Sequence, residues 1–245
     1  MEMKCEIIEN DSRLIGVVSV KVPGIYGRRG NPLPRRMAKL VRPAAVALQK
    51  VYRNIVREGG HLFLSDMFRS ADQQQRAHED WIKGRKSAFS PPCCSSVHEA
   101  ARAIDIDAFD TGIGHRRVRQ LLNQHGWTHV VATLTGAECW HYEFRQSKWE
   151  NYRKQHGYPA MAHAMKEAIG NTAGNEIGRK IREQVTWVQK SLNRLIAARL
   201  RVNGNYDAHT RAAVIAFQNK YRLQIDGVAG PITRKKIREL LDSKG

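Results

Sequence analysis

Apolar residues recur at intervals of three and four in Met37, Leu40, Val41, Ala44, Ala45, Leu48, Val51 and Ile55. That period predicts an amphipathic helix. Pro43 falls inside the span, so the regular helix starts there, with the proline in the first turn where a missing N–H costs nothing. Gly59-Gly60 ends it. His61 to Met67 alternates as a strand, Ser70-Ala71-Asp72 opens a helix to about Lys83, and Gly84 to Pro92 reads as loop. A second strand spans Ala103 to Phe109, a helix runs from His115 to Gln124 and closes near Gly126, and a third strand spans Glu138 to Arg145. Elements mixed in this order predict an α+β domain with a small antiparallel sheet.

After Trp149 the pattern changes. His156-Gly157-Tyr158-Pro159 breaks a helix, and Gly170, Gly174 and Gly178 punctuate a polar stretch, so residues 156–180 read as a linker. The expected division is an α+β domain over 1–155 and a small all-α domain of three helices over 181–245. The second holds an internal repeat: Asn203-Gly204 through Thr210-Arg211 matches Asp226-Gly227 through Thr233-Arg234 at a spacing of 23. Each copy is a turn followed by a helix start, with Asp207 suited to an N-cap and Pro231 to the first helical position.

Composition narrows the functional classes. At 42% hydrophobic the chain can build a core, and no run approaches the roughly 18 apolar residues of a membrane span. Glu2, Glu6, Glu9 and Asp11 sit where the apolar region of a signal peptide would form, which predicts synthesis in the cytoplasm without one. The formal net charge of +18 predicts an anionic polymer as partner. Residues 181–245 carry 13 Lys/Arg against 5 Asp/Glu, so the C-terminal quarter is the more basic. No nucleic-acid motif accompanies that charge, and nucleic acid is not an expected partner. Cys5, Cys93, Cys94 and Cys139 show neither a disulfide framework nor C-x-x-C spacing and are expected to be reduced.

One constellation can carry chemistry. His98, Asp105 and His141 are two imidazoles and a carboxylate, a set that suits Zn²⁺ and leaves a position open for water. Glu138 is a further carboxylate that could serve as general base. Strand alternation puts Asp107 on the same face as Asp105, making it the rival ligand. Glu138 and His141 lie three apart and converge only if Glu138 precedes the strand or a bulge intervenes. His115, His125, His129, His156 and His163 lack partners at metal spacing. Trp127 and Trp140 read as core, and Cys139 as packing beside the site.

The combination resembles a known family. Ser96-x-His98-x₆-Asp105 followed by Glu138-x-Trp140-His141, with Phe68-Arg69-Ser70 and Gln74 upstream, looks like the VanY-like zinc D-alanyl-D-alanine carboxypeptidases and endopeptidases. The likeness spans about Arg36 to Phe144. It implies one Zn²⁺ per chain on His98, Asp105 and His141, Glu138 as base, and Arg69, Gln74 and Ser96 as substrate-binding residues. Ala101, Cys139 and Phe68 stand where that family has Gly, Pro and Tyr. Residues 181 to 241 resemble the three-helix peptidoglycan-binding domain, through Val185-x-x-Val188-Gln189-x-x-Leu192-Asn193, the two Gly turns and Ala212-Ala213-Val214-x-Ala216-Phe217-Gln218.

Together these resemblances imply a monomeric zinc metallopeptidase acting on peptidoglycan of the bacterial wall, in the periplasm or wall of a host if the chain is a phage endolysin. Anionic wall polymers or lipopolysaccharide are the other expected partners. Lysis favours an endopeptidase cutting between L-Ala and D-Glu. A D-Ala-D-Ala carboxypeptidase is the alternative reaction, and a non-catalytic wall-binding protein the alternative class.

Overall fold

The computed structural model describes residues 5–10, 13–26, 31–131, 133, 135, 138–170, 175–204 and 206–243. Along the chain the elements are β1 (Glu6–Asn10), β2 (Val17–Lys21), β3 (Lys39–Val41), α1 (Arg42–Arg57), β4 (Leu64–Asp66), α2 (Ala71–Ile82), a 3₁₀ turn (Val97–Ala100), β5 (Ala103–Ile106), α3 (His115–Gln124), β6 (Trp127–His129), β7 (His141–Phe144), α4 (Gln146–His156), α5 (Tyr158–Ala168), α6 (Asn175–Ile196), α7 (Ala208–Lys220) and α8 (Pro231–Asp242). They form two compact units that interleave in sequence. Met1–Ser70 and Cys94–Ala173 make one, Ala71–Cys93 and Gly174–Gly245 the other.

In the first unit β1-β2-β3 form one antiparallel sheet, and β4-β5-β7-β6, in that spatial order, form another. α1 begins as expected, with Pro43 in its first turn. Met37, Leu40 and Val41 fit the helical period but lie before it, and Leu40 and Val41 belong to β3. Ala44, Leu48, Val51 and Ile55 are completely buried, joining Val18, Leu40, Leu62, Ile104 and Tyr142 in one core. Each fully buried Val, Leu or Ile among them contributes about 1.5–3 kcal/mol.

The three expected strands are real but short. β4 is interrupted by a register shift between Leu64 and Asp66. β5 stops at Ile106, because the Asp107 carboxylate accepts from the Phe109 N–H and turns the chain. Residues 138–140 form a turn ahead of β7.

The expected linker is largely helical. Gly157 (φ 84°) ends α4, and Pro159 restarts the chain as α5. Met161, Ala162 and Met165 form one stripe of α5, packed with Val97, Ala100, Ala103 and Trp149. Gly174 lies outside the described residues.

In the second unit α6, α7 and α8 enclose Val188, Leu192, Val214, Phe217 and Ile237, and Trp81 and Ile82 of α2 pack into the same cluster. The segment Ala71–Cys93, expected with the catalytic domain, therefore groups with the C-terminal helices.

The 23-residue repeat has a physical origin. The buried Gln189 amide donates to Asn203 Oδ1 and Thr210 Oγ1, and its carbonyl accepts from the N–H groups of Asn203 and Gly204. One copy later, the buried Gln218 amide donates to Asp226 Oδ1 and Thr233 Oγ1, and its carbonyl accepts from the Gly227 N–H. Gly204 and Gly227 both have positive φ, and a Cβ at Gly204 would meet Thr186 Oγ1 at 3.1 Å. Arg199 and Arg222, also 23 apart, share φ 53°, and with Leu200 and Leu223 beside them the repeat extends upstream in sequence and in structure alike.

Replacing Gln189 by Ala strands two backbone N–H groups, each costing about 1–3 kcal/mol. Gln189→Ala should lower unfolding free energy by about 2–4 kcal/mol in urea denaturation. A loss under about 0.5 kcal/mol would show that the turn holds itself.

Candidate metal centre

The register of β5 against β7 sets Asp105 directly opposite His141. Asp105 Oδ1 lies 2.7 Å from His141 Nδ1 and 3.4 Å from His98 Nε2. All three side chains are buried, and among the described residues they are the one His/Cys/Asp/Glu group whose ligand atoms gather, all within 4.8 Å of one another.

His98 arrives from a different element. Ser96 caps the 3₁₀ turn: its Oγ accepts from the His98 N–H, while the Glu99 carboxylate accepts from the Ser96 N–H. Ala101 closes the turn in the left-handed region (φ 52°, ψ 39°). That is where the resemblance calls for glycine, and alanine adopts it at a cost of about 1–2 kcal/mol.

The outward nitrogens are anchored. His98 Nδ1 lies 2.5 Å from the Met67 carbonyl oxygen, and His141 Nε2 lies 3.1 Å from Glu143 Oε1. An oxygen acceptor on one ring nitrogen holds a proton there and leaves the other nitrogen for a metal, the arrangement metal-ligating histidines use. Two ligands about 2.0–2.2 Å from one ion in tetrahedral geometry stand about 3.3–3.6 Å apart. The 3.4 Å between His98 Nε2 and Asp105 Oδ1 matches that spacing, and the 2.7 Å hydrogen bond from His141 Nδ1 to Asp105 would open on metal binding. The donor set and both anchors fit Zn²⁺.

Arg69 sits on the far side of Asp105. Its Nε and Nη2 reach Asp66 Oδ2 at 2.7 and 2.6 Å, and Nη2 lies 3.5 Å from Asp105 Oδ2. Asp66 pairs with Asp105 across β4 and β5, a like-charge juxtaposition that the guanidinium neutralises. Burial works against Arg69's charge, and Asp66, Asp105 and Glu138 more than compensate, raising its pKa.

Glu138 precedes β7, in the turn, with φ 64°. Its carbonyl accepts from the His141 N–H at 3.1 Å, so the chain enters β7 through a turn and not a bulge. Its charge acts on both Arg69 and Tyr158. Asp107, the rival ligand, is outside the cluster and is engaged with the Phe109 N–H.

The three expected substrate-binding residues are all buried and hydrogen-bonded within the protein. Arg69 holds two carboxylates, and Ser96 caps the turn bearing His98. Gln74 belongs to the other unit, where its amide donates to the Pro91 carbonyl at 2.6 Å. Sequence reasoning missed Asp66, Glu143 and Tyr158. Asp66-x-x-Arg69 and Ser96-x-x-Glu99 were readable as an ion pair and a capping box. Nothing local marks Tyr158.

Comparison with known proteins bears on each part of the chain. Residues 181–237 match the family model described as a putative peptidoglycan binding domain. No curated protein sequence matches the chain. Among solved structures, VanYB in complex with D-alanine-D-alanine is 15% identical, with a TM-score of 0.36, over 49% of this chain and 78% of its own. A mutant of the D,D-pentapeptidase VanY from the VanB-type resistance cassette, solved with Zn(II), is 15% identical over 49% and 80%, with a TM-score of 0.37. The LD-carboxypeptidase LdcB is 17% identical over 62% and 91%, with a TM-score of 0.36. Likeness this distant carries no argument about activity.

The electrostatics give a pH signature. Burial lowers the His141 pKa, but hydrogen bonds and charge from Asp105 and Glu143 push it up to about 10. Burial raises the Asp105 pKa, and His98 and His141 hold it well below the usual range. A raised imidazole stabilises the fold below its ordinary value of 6.5, and that contribution is lost as pH rises through about 10. A zinc ion held there would need the same Nδ1 without its proton, so its uptake would strengthen over that range. The melting temperature of chelator-treated protein should fall between about pH 6.5 and 10 while the increment from added zinc grows. Parallel curves with and without zinc would contradict this.

Proposed function

We propose that the chain is a zinc-dependent peptidase of peptidoglycan stem peptides, with residues 181–237 holding it to the wall. The observation that carries this reading is the convergence of His98 Nε2, Asp105 Oδ1 and His141 Nδ1, each histidine anchored through its other nitrogen. The match to a peptidoglycan-binding model in the same chain supports the choice of polymer. Basic residues along the C-terminal helices suit an anionic wall.

His98, Asp105 and His141 would hold the ion, which when bound supplies a Lewis acid that acidifies water and polarises a carbonyl. Glu138 takes the proton from the attacking water and returns it to the departing amine as the amide bond breaks. Its place in the turn immediately before His141 keeps it beside the ligand set. Arg69, set between the Asp66 and Asp105 carboxylates, holds Asp105 and limits its rotation.

The state of Arg69 favours one reaction over the other. A carboxypeptidase needs a cation for the substrate's terminal carboxylate, and a bidentate guanidinium suits that task. Here Nε and Nη2 are already engaged by Asp66 and Asp105. The better reading is an endopeptidase cutting within the stem, between L-Ala and D-Glu, as a phage endolysin requires to open the wall.

Glu138→Ala should keep its zinc by metal analysis yet lose about 10²–10⁴-fold in turnover, because it removes a base and not a ligand. Mass analysis of fragments released from purified peptidoglycan should show peptides with a new D-Glu amino terminus. Release of free D-Ala alone would establish the carboxypeptidase instead. Wild-type protein that pellets with wall and releases nothing would leave only the binding protein.

A further inference from the structure

β7 carries a second buried acid that the proposed chemistry does not use. Glu143 lies two residues after His141, on the same face of the strand, and is completely buried. Its Oε1 accepts from His141 Nε2 at 3.1 Å and from the Tyr158 hydroxyl at 2.5 Å, and its Oε2 accepts from Arg145 Nε at 2.6 Å. Arg145 is itself buried and also reaches Glu150 at 3.3 Å.

We infer that Glu143, locked by Tyr158 and Arg145, is a positioning residue that keeps the proton on His141 Nε2 and so presents Nδ1 to the metal. The inference rests on the reading that His98, Asp105 and His141 hold zinc. Its argument is geometric. An imidazole on a strand can rotate about its two side-chain torsions, and either nitrogen can carry the proton of the neutral ring. His141 Nδ1 also faces a carboxylate, Asp105 Oδ1 at 2.7 Å, and is the nitrogen that would give up its proton to a metal; Glu143 Oε1, an acceptor 3.1 Å from Nε2, then keeps the remaining ring proton on Nε2. Glu143 is in turn prevented from swinging away, because Arg145 holds one oxygen and Tyr158, from another helix, the other. His98 needs no such acid, since its Nδ1 meets the fixed Met67 carbonyl. The two histidines are thus anchored by different means, and the carboxylate anchor is the one that also raises ligand basicity.

The test uses the full chain, with zinc as the probe. Zinc affinity is measured by competition with a chromophoric chelator, and the imidazole N–H protons of the zinc-loaded protein are followed by ¹H–¹⁵N correlation. Wild type should show a slowly exchanging, downfield His141 Nε2–H. Glu143→Gln should bind zinc about 10–100-fold more weakly and move that proton upfield, while thermal melting confirms that it is folded. A folded Glu143→Gln with affinity within twofold of wild type and an unmoved proton overturns the inference alone. Wild type that takes up no zinc overturns the site itself, and the inference with it. Should Glu143→Gln not fold, Tyr158→Phe deletes a single hydroxyl and is read in the same way. A several-fold loss with a shifted proton supports the inference, and no change in either overturns it.

Discussion

A buried carboxylate sets the terms for the first unit. Asp105 is shielded from water on the central pair of strands, where an uncompensated charge would cost several kcal/mol. Its surroundings can be read as the answer to that cost. His141 lies across the ladder at 2.7 Å, His98 comes in from a capped turn at 3.4 Å, and Arg69 bridges Asp105 to Asp66. A one-residue slip of β5 against β7 would turn Asp105 away from His141 and toward the opposite face. The strands are short, so pairing alone does not hold that register. The core beneath them does, through Ile104, Ile106 and Tyr142 against Leu48 and Val51.

The same logic extends outward to α5. Tyr158, at its start, donates to Glu143 behind His141. Lys166, near its end, lies fully buried 3.7 Å from Glu99 and donates to Cys94 Sγ at 3.0 Å. Glu99 belongs to the capping box that shapes the turn bearing His98. Burial raises the Glu99 pKa to about 7, with the Cys94 N–H and the Lys166 charge opposing the rise. One helix therefore secures both histidine-bearing elements from behind, each time through a buried polar contact that leaves little room for alternative packing. Breaking one partner of such a pair is far costlier than the pair is worth, which makes it a device of geometry more than of net stability.

Much of this was legible in the sequence, and what was not has identifiable causes. α1, with Pro43 in its first turn, and the three C-terminal helices follow from period and punctuation, because apolar spacing and turn residues are local signals. His98, Asp105 and His141 could be picked out together and do gather, whereas the position of Glu138 ahead of β7 depended on a turn at 138–140 that alternation alone left open. Residues 156–170 were misread because His156-Gly157-Tyr158-Pro159 does end a helix; what sequence did not reveal is that Pro159 also starts the next one. Ser96 was assigned to substrate through the family resemblance, and its capping of the turn through the His98 N–H is a second role that its residue type suits. Arg69 was ambiguous for the same reason: a guanidinium binds any carboxylate, and the one it binds here, Asp66, is three residues away.

The boundary between the units was the least legible feature, because it depends on which apolar side chains meet and not on composition. Trp81 and Ile82 give α2 an apolar edge, and that edge joins Val185, Val188 and Leu192 rather than the core around α1. The chain thus leaves the first unit just after Arg69-Ser70 and returns at Cys94, four residues before His98. The Gly-punctuated stretch at 156–180 suggested two domains in series. The interleaved path argues otherwise. Removing the C-terminal helices would deprive Trp81 and Ile82 of their packing partners, at about 1.5–3 kcal/mol for each large apolar side chain returned to water. The segment so destabilised is tied by its two ends to Ser70 and Cys94, next to the guanidinium that steadies Asp105 and the capped turn that aims His98. The C-terminal helices and the His98, Asp105 and His141 cluster are therefore linked through the covalent chain.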